Sequence, residues 1–353
     1  MPRPNAAAAA AERAASTAPA VSAASAAGGD PTAAAAVPAQ PAGTLNVPST
    51  PNAPASEKSS RSRLLRAGVL TAALLMVFAV FVLVARWLVT LEPVQGFLSQ
   101  YPGESELPHG APVGLPAWLA WQHFFNAFLM VLIIRSGWQV RTQSRPPATW
   151  TPRWGTNPKK VSITLWFHQS LDILWLVNSA LFAVLLVVTG QWMRVVPTSW
   201  DVVPNALSAV LQYFSLDWPT ENGWVNYNSL QVLAYFVTIF IAAPLAAATG
   251  FRMSEMWPAK AKRLSSACPI ELARAIHFPV MLYFVGFIIV HVALVLSTGA
   301  LRNLNHMYGA QDAVNWLGFW IFFASLLVIA GGWFAARPIV LAPIASLFGK
   351  VGR

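Results

Sequence analysis

Apolar residues in this chain neither alternate at strand period nor stripe one face of a helix. They come in six long blocks, at about residues 64–90, 115–136, 162–190, 227–250, 271–297 and 313–336. At about 1.5 Å per helical residue, each block is long enough to cross a hydrocarbon core of about 30 Å. The expected fold class is an all-α integral membrane protein with six transmembrane helices. Loops rich in Pro, Gly and Trp separate the blocks. Residues 1 to about 60 are different, being Ala/Pro/Ser/Thr-rich with almost no large apolar side chains. Such a stretch cannot bury enough surface to offset its ordering entropy, so a disordered tail is expected there. The first block begins near Leu64 and is too long for the core of a signal peptide.

Of the 353 residues, 56% are hydrophobic and 10% charged, which excludes an ordinary soluble enzyme. The 16 tryptophans suit interfacial belts. A net charge of +10 raises nucleic acid as a partner, but the basic residues lie between the blocks, where they set topology. Lys58, Arg61, Arg63 and Arg66 precede the first block, and Arg141, Arg145, Arg153, Lys159 and Lys160 lie between the second and third. Arg252, Lys260, Lys262 and Arg263 follow the fourth, and Arg337, Lys350 and Arg353 follow the last. The remaining loops hold only Arg194 and Arg302, against Glu92, Glu104, Glu106, Asp201, Asp217, Glu221 and Asp312. The positive-inside rule then puts both termini in the cytoplasm. The one cysteine, Cys268, leaves no intrachain disulfide and no covalent haem attachment, so any haem is held non-covalently.

The fifth block carries the chemistry. In RAIHFPVMLYFVGFIIVHVALVLS, Arg274 to Ser297, two histidines stand 14 residues apart, His277 and His291. At about 100° per residue both leave the helix within roughly 40° of one face, about 21 Å apart along the axis. One imidazole is therefore expected near each membrane surface. Two more histidines lie inside blocks, His123 in the second and His168 in the third, while His109 and His306 fall in outer loops. With the orientation above, depth sorts the four into pairs, His123 with His291 on the outside and His168 with His277 on the inside. Ionisable residues inside a span are expensive and usually functional. Two bis-histidine haem b sites are the expected reading. The competing one is neutral core histidines hydrogen-bonded across helices, in a haem-free transporter or scaffold that uses them as polar or proton-relay groups. Zinc fits poorly, since no cysteine or carboxylate cluster supplements either pair.

One helix bearing H-x13-H, preceded by two spans each donating a histidine near its N-terminal end, resembles the b-type cytochrome subunits of formate dehydrogenase, nickel–iron hydrogenase and thiosulfate reductase. These are grouped with the bacterial cytochrome b561 proteins. The resemblance implies a four-helix di-haem core at about residues 115–297, flanked by an extra helix at 61–92 and another, with a short basic tail, at 313–353. It implies His123 and His291 as ligands of one haem iron, and His168 and His277 as ligands of the other. It also implies a bacterial inner-membrane subunit that moves electrons between a redox partner, such as a molybdenum-containing oxidoreductase subunit, and quinone. The added first span inverts the core relative to the formate dehydrogenase arrangement.

Supporting residues follow. Arg274, one turn from His277, is placed to meet a haem propionate. Asp172, four residues after His168, shares its helix face and needs a partner or a proton. Gly286 offers a close approach to the backbone, and Pro244 and Pro279 are candidate helix breaks. The loop 191–226, with Trp200, Tyr213 and Trp218, is the expected docking surface. No catalytic nucleophile, hydrolase motif or nucleotide loop is evident.

Overall fold

The computed structural model describes residues 55–352, except 156–157, 219–221, 259 and 261. The tail expected over residues 1–60 lies outside them as far as residue 54, as do Glu221 and Arg353. The long helices are α1 (Ala55–Leu88), α3 (Ala117–Thr142), α4 (Ile163–Val188), α6 (Ser229–Met253), α8 (Ile270–Ser297) and α10 (Leu317–Ala335). All six are long and apolar enough to cross a membrane, with α1 qualifying over Ser62–Leu88. The protein is an all-α integral membrane protein with six spans. Its exposed surface is heavily apolar along them, for example Leu74 and Val188, each 70% exposed. That is the expected finish of a helix facing lipid, where every backbone group is satisfied within the helix.

Local sequence explains how the helices begin and bend. Ser162 caps α4 by accepting a hydrogen bond from the Leu165 N–H at 3.0 Å. Asn228 and Gln231 form a reciprocal capping box at the start of α6. Inside α6 a π-helical turn over Val237–Ala242 comes just before Pro244. The proline has no N–H, and its ring crowds the carbonyl four residues earlier, so the wider turn absorbs both effects without ending the span. Pro279 sits within an unbroken α8.

Shorter elements close the two ends of the bundle. One end carries α2 (Glu92–Gln100), a 3-10 turn at Gln191–Arg194, α5 (Val202–Ser215) and α9 (Ala300–Leu304) running into a π turn at Asn305–Gly309. We call this the acidic face. The other, basic face carries β1 (Thr149–Pro152), β2 (Val161–Ser162), α7 (Lys262–Ala267), α11 (Pro338–Phe348) and β3 (Gly349–Gly352). The strands form an antiparallel sheet in the order β2-β1-β3, with Trp150 opposite both Val161 and Val351. Trp150 is buried with Ile163, Leu341 and Ala345, and its indole N–H donates to the Ala345 carbonyl at 3.0 Å. The segment after the last span is thereby tied to the loop between α3 and α4.

Within the bundle α3 packs closely on α4, and α6 on α8. Leu129, Leu132, Leu171 and Trp175 form the buried seam, with Ala243 and Ala247 of α6 against it. No comparably close backbone packing joins the α3–α4 pair to α8 among the described residues. Side chains meet across that gap instead, and among them are the four histidines.

Candidate functional site

On the basic side, His168 of α4 and His277 of α8 have ring centres 6.5 Å apart, with planes at 89°. Each is held from a neighbouring helix by a hydroxyl: Ser136 Oγ of α3 lies 2.9 Å from His168 Nδ1, and Thr249 Oγ1 of α6 lies 2.8 Å from His277 Nδ1. Both hydroxyls already donate to carbonyls of their own helix, Ser136 to Leu132 at 2.8 Å and Thr249 to Leu245 at 2.6 Å. A hydroxyl has one proton, so all these contacts are satisfied together when each hydroxyl accepts from the imidazole. The proton therefore sits on Nδ1 of both rings, and both Nε2 atoms keep a free lone pair. A glycine follows each hydroxyl and makes room for the ring. A Cβ at Gly137 would lie 3.1 Å from His168 Cε1, and one at Gly250 would lie 3.5 Å from His277 Cε1. The same two-residue device, hydroxyl then glycine, thus cradles both imidazoles.

On the acidic side, His123 of α3 and His291 of α8 have ring centres 6.2 Å apart, with planes at 54°. Their setting is aromatic. Phe287 stacks on His291 at 5.5 Å, Tyr235 meets that ring edge-on at 6.3 Å, and Tyr308 meets His123 edge-on at 5.6 Å. His123 Nδ1 is buried and has no hydrogen-bond partner among the described residues. Burial pushes the Tyr308 hydroxyl up to about 12, so it stays a neutral phenol beside the pair.

Of the other residues singled out, Asp172 Oδ2 lies 3.7 Å from His168 Nε2, a loose contact beyond hydrogen-bond range. Arg274 is exposed and makes no hydrogen bond or ion pair among the described residues. Gly286 has open space around it. Trp200 is 89% exposed, whereas the Trp218 indole donates to the Tyr213 carbonyl at 3.1 Å.

Two features of the acidic face went unread in the sequence. His306 is buried and shares Asp312 with Arg302, through contacts of 2.8 Å from each to Oδ1. The Arg302 and His306 bonds hold the Asp312 carboxyl down at about 2. Arg194, counted from sequence as a loop charge, is only 1% exposed. It donates to the carbonyls of Gly114 at 2.8 Å and Gly223 at 2.7 Å, and lies 4.7 Å over the Tyr227 ring. Burial raises the Tyr227 hydroxyl, with Arg194 opposing.

These residues fit a haem. A metal held between two imidazoles by bonds of about 2 Å sets the ring centres about 6 Å apart, close to both observed spacings. Among the described residues no three His, Cys, Asp or Glu side chains converge on a metal position. Two imidazoles alone make a poor site for a free ion, and a good axial pair for one whose other ligands come from a macrocycle. The gap between the helix pairs and the orphaned His123 Nδ1 agree with that. No curated protein and no solved structure matches the chain. The family model of prokaryotic cytochrome b561 matches residues 114–310, a stretch that includes α3, α4, α6, α8 and all four histidines. The chain belongs to the prokaryotic cytochrome b561 family, and is a multi-pass bacterial membrane protein, a haem b-binding cytochrome of electron transfer.

Proposed function

We propose that the chain holds two haems b and carries electrons across the bilayer between a redox partner and the quinone pool. His123 and His291 would hold one iron near the acidic face, His168 and His277 the other near the basic face. The observation that supports this best is the pair of imidazole spacings, 6.2 and 6.5 Å, at opposite ends of α8. The free Nε2 lone pairs of His168 and His277 add to it. When bound, haem b supplies a one-electron iron couple, and the chain sets its potential through ligands, hydrogen bonds and burial. Ser136 and Thr249 fix the tautomer of the basic-side ligands and raise their basicity by accepting Nδ1–H. Phe287, Tyr235 and Tyr308 hold the acidic-side rings and exclude water. Arg274, one turn from His277 and without a hydrogen-bond or ion-pair partner among the described residues, is assigned to a propionate of the basic-side haem.

By the distribution of lysine and arginine, the basic face is cytoplasmic, with both termini on that side. The partner is proposed to be a separate oxidoreductase subunit, molybdenum-containing by resemblance. Trp200, 89% exposed, offers it aromatic contact surface on the acidic face.

The test is the reduced-minus-oxidised spectrum of the detergent-purified protein with pyridine-haemochrome quantification. Two haems b per chain are expected, falling to about one in His123→Ala or His168→Ala. Colourless protein from haem-replete cells would overturn the reading.

A further inference from the structure

At the basic face a cavity of about 300 Å³ opens between α3, α4 and the turn from α10 into α11. Its polar wall is Arg135, Gln139, Thr142, Gln143, Thr164 and Arg337, and no carboxylate lines it among the described residues. Arg135 spends one donor in the wall, from Nη1 to the Ala336 carbonyl at 2.7 Å, and lies 5.1 Å over the Trp333 ring. A guanidinium has five N–H donors. The other four of Arg135 have no partner among the described residues, and the Arg337 side chain has none there at all. Both guanidinium-bearing side chains line the same cavity. Thr164 donates to Gln143 Oε1 at 2.9 Å, which leaves the Gln143 amide donors unused. The cavity therefore presents positive charge and N–H donors with little to accept from them.

A plain topology anchor needs none of this. Arg145, exposed on the same face, does that work without a cavity. Half-buried Arg135 and exposed Arg337 put two cations without a carboxylate partner on one cavity wall, and guanidinium geometry matches phosphate oxygens in pairs. We propose that this cavity is a binding site for a phosphate group, gripped by Arg135 and Arg337. The apolar part of its wall, Phe167 and Leu341 among it, suits the glycerol and upper chains of an anionic phospholipid at membrane depth. Free phosphate would meet the same two arginines. Arg135 adjoins Ser136 and Phe167 adjoins His168, so the bound group braces the two helical turns that make the His168 contact.

The test uses full-length protein in neutral detergent, washed free of anionic lipid. Binding is followed by native mass spectrometry and by the unfolding temperature. Phosphatidylglycerol should bind and raise that temperature, while diacylglycerol, which has the same chains and no phosphate, should not. Arg337→Gln, whose side chain makes no hydrogen bond or ion pair among the described residues, and Arg135→Gln should each weaken phosphatidylglycerol binding about tenfold. Inorganic phosphate that reproduces the shift with the same arginine dependence would make the free ion the ligand. The proposal fails if Arg337→Gln leaves phosphatidylglycerol affinity unchanged, or if diacylglycerol binds as well.

Discussion

Thr249 Oγ1 lies 2.8 Å from Nδ1 of His277, and the contact joins α6 to α8. Ser136 repeats the arrangement with His168 at 2.9 Å, from α3 to α4. Because each hydroxyl already donates to its own helix, it serves as acceptor, and the imidazole gains electron density at Nε2. A more basic ligand stabilises oxidised iron, so in the proposed two-haem arrangement these hydroxyls would lower the potential at the basic-side site. The acidic-side pair has no such acceptor at the buried His123 Nδ1.

Removing one hydroxyl tests this. Ser136→Ala or Thr249→Ala should raise the midpoint potential of one haem only. A hydrogen bond of about 1 kcal/mol corresponds to roughly 40 mV for a one-electron couple, which bounds the expected shift. Serine at position 249 should restore most of it. An optical redox titration that found both haems shifted equally, or neither, would remove the hydroxyls from the tuning of the site.

The glycines behind those hydroxyls differ in a way that predicts opposite outcomes. At Gly137 an added methyl would sit 3.1 Å from His168 Cε1, tighter than side chains normally pack, and the ring must move. At Gly250 the distance to His277 Cε1 is 3.5 Å, ordinary contact. Gly137→Ala should therefore lower haem content at the basic-side site or change its spectrum. Gly250→Ala should keep both, and gain up to about 1 kcal/mol from the better helix former. Haem quantification and thermal unfolding of the two variants check the contrast.

The six spans were legible because a bilayer imposes one rule on every residue of a crossing segment, and block length alone reports it. The intramembrane histidines stood out because four ionisable rings inside apolar blocks are costly. Ser136 and Thr249 did not, because hydroxyls are common in membrane helices and bond their own backbone cheaply. What separates these two is a ring on another helix, which no single-chain periodicity encodes. The sheet on the basic face was hidden for a related reason: Trp150 pairs with Val351, some 200 positions away, over strands of four residues. The 14-residue helix α5 is apolar but too short to read as a span. Arg194 looked like a loop charge because burial by backbone carbonyls leaves no trace in composition.

Arg194 gives the largest expected effect on stability. Its guanidinium bridges Gly114 before α3 and Gly223 before α6, with Tyr227 over its face. Losing it leaves the half-buried Gly223 carbonyl without this donor, leaves the Gly114 carbonyl only its bond from Gln191 at 3.0 Å, and opens a space beside Tyr227. Arg194→Met should cost about 1–3 kcal/mol. Arg194→Lys should recover only part, since an ammonium cannot span both carbonyls with a planar fork. Thermal unfolding in detergent reads this directly. A tolerated methionine would mean that the acidic-face loops are held by something else.

Asp312 supplies the pH dependence. Hydrogen bonds from Arg302 and then His306 hold its carboxyl at about 2, against an ordinary 3.8. A depressed carboxyl contributes stability that is fully present above its unfolded value and is lost as pH falls through the folded one. The window is thus about pH 4 down to about 2. The group sits at the surface, so screening keeps the effect small and salt-sensitive. Asp312→Asn removes the charge at every pH. The unfolding-temperature difference between wild type and Asp312→Asn should therefore be constant from pH 7 to about 4, and shrink towards zero below that. Added salt should shrink it as well. A difference that persisted unchanged at pH 2 would show that the asparagine acts through packing around His306, and that the Arg302–Asp312–His306 contact contributes no charge-dependent stability.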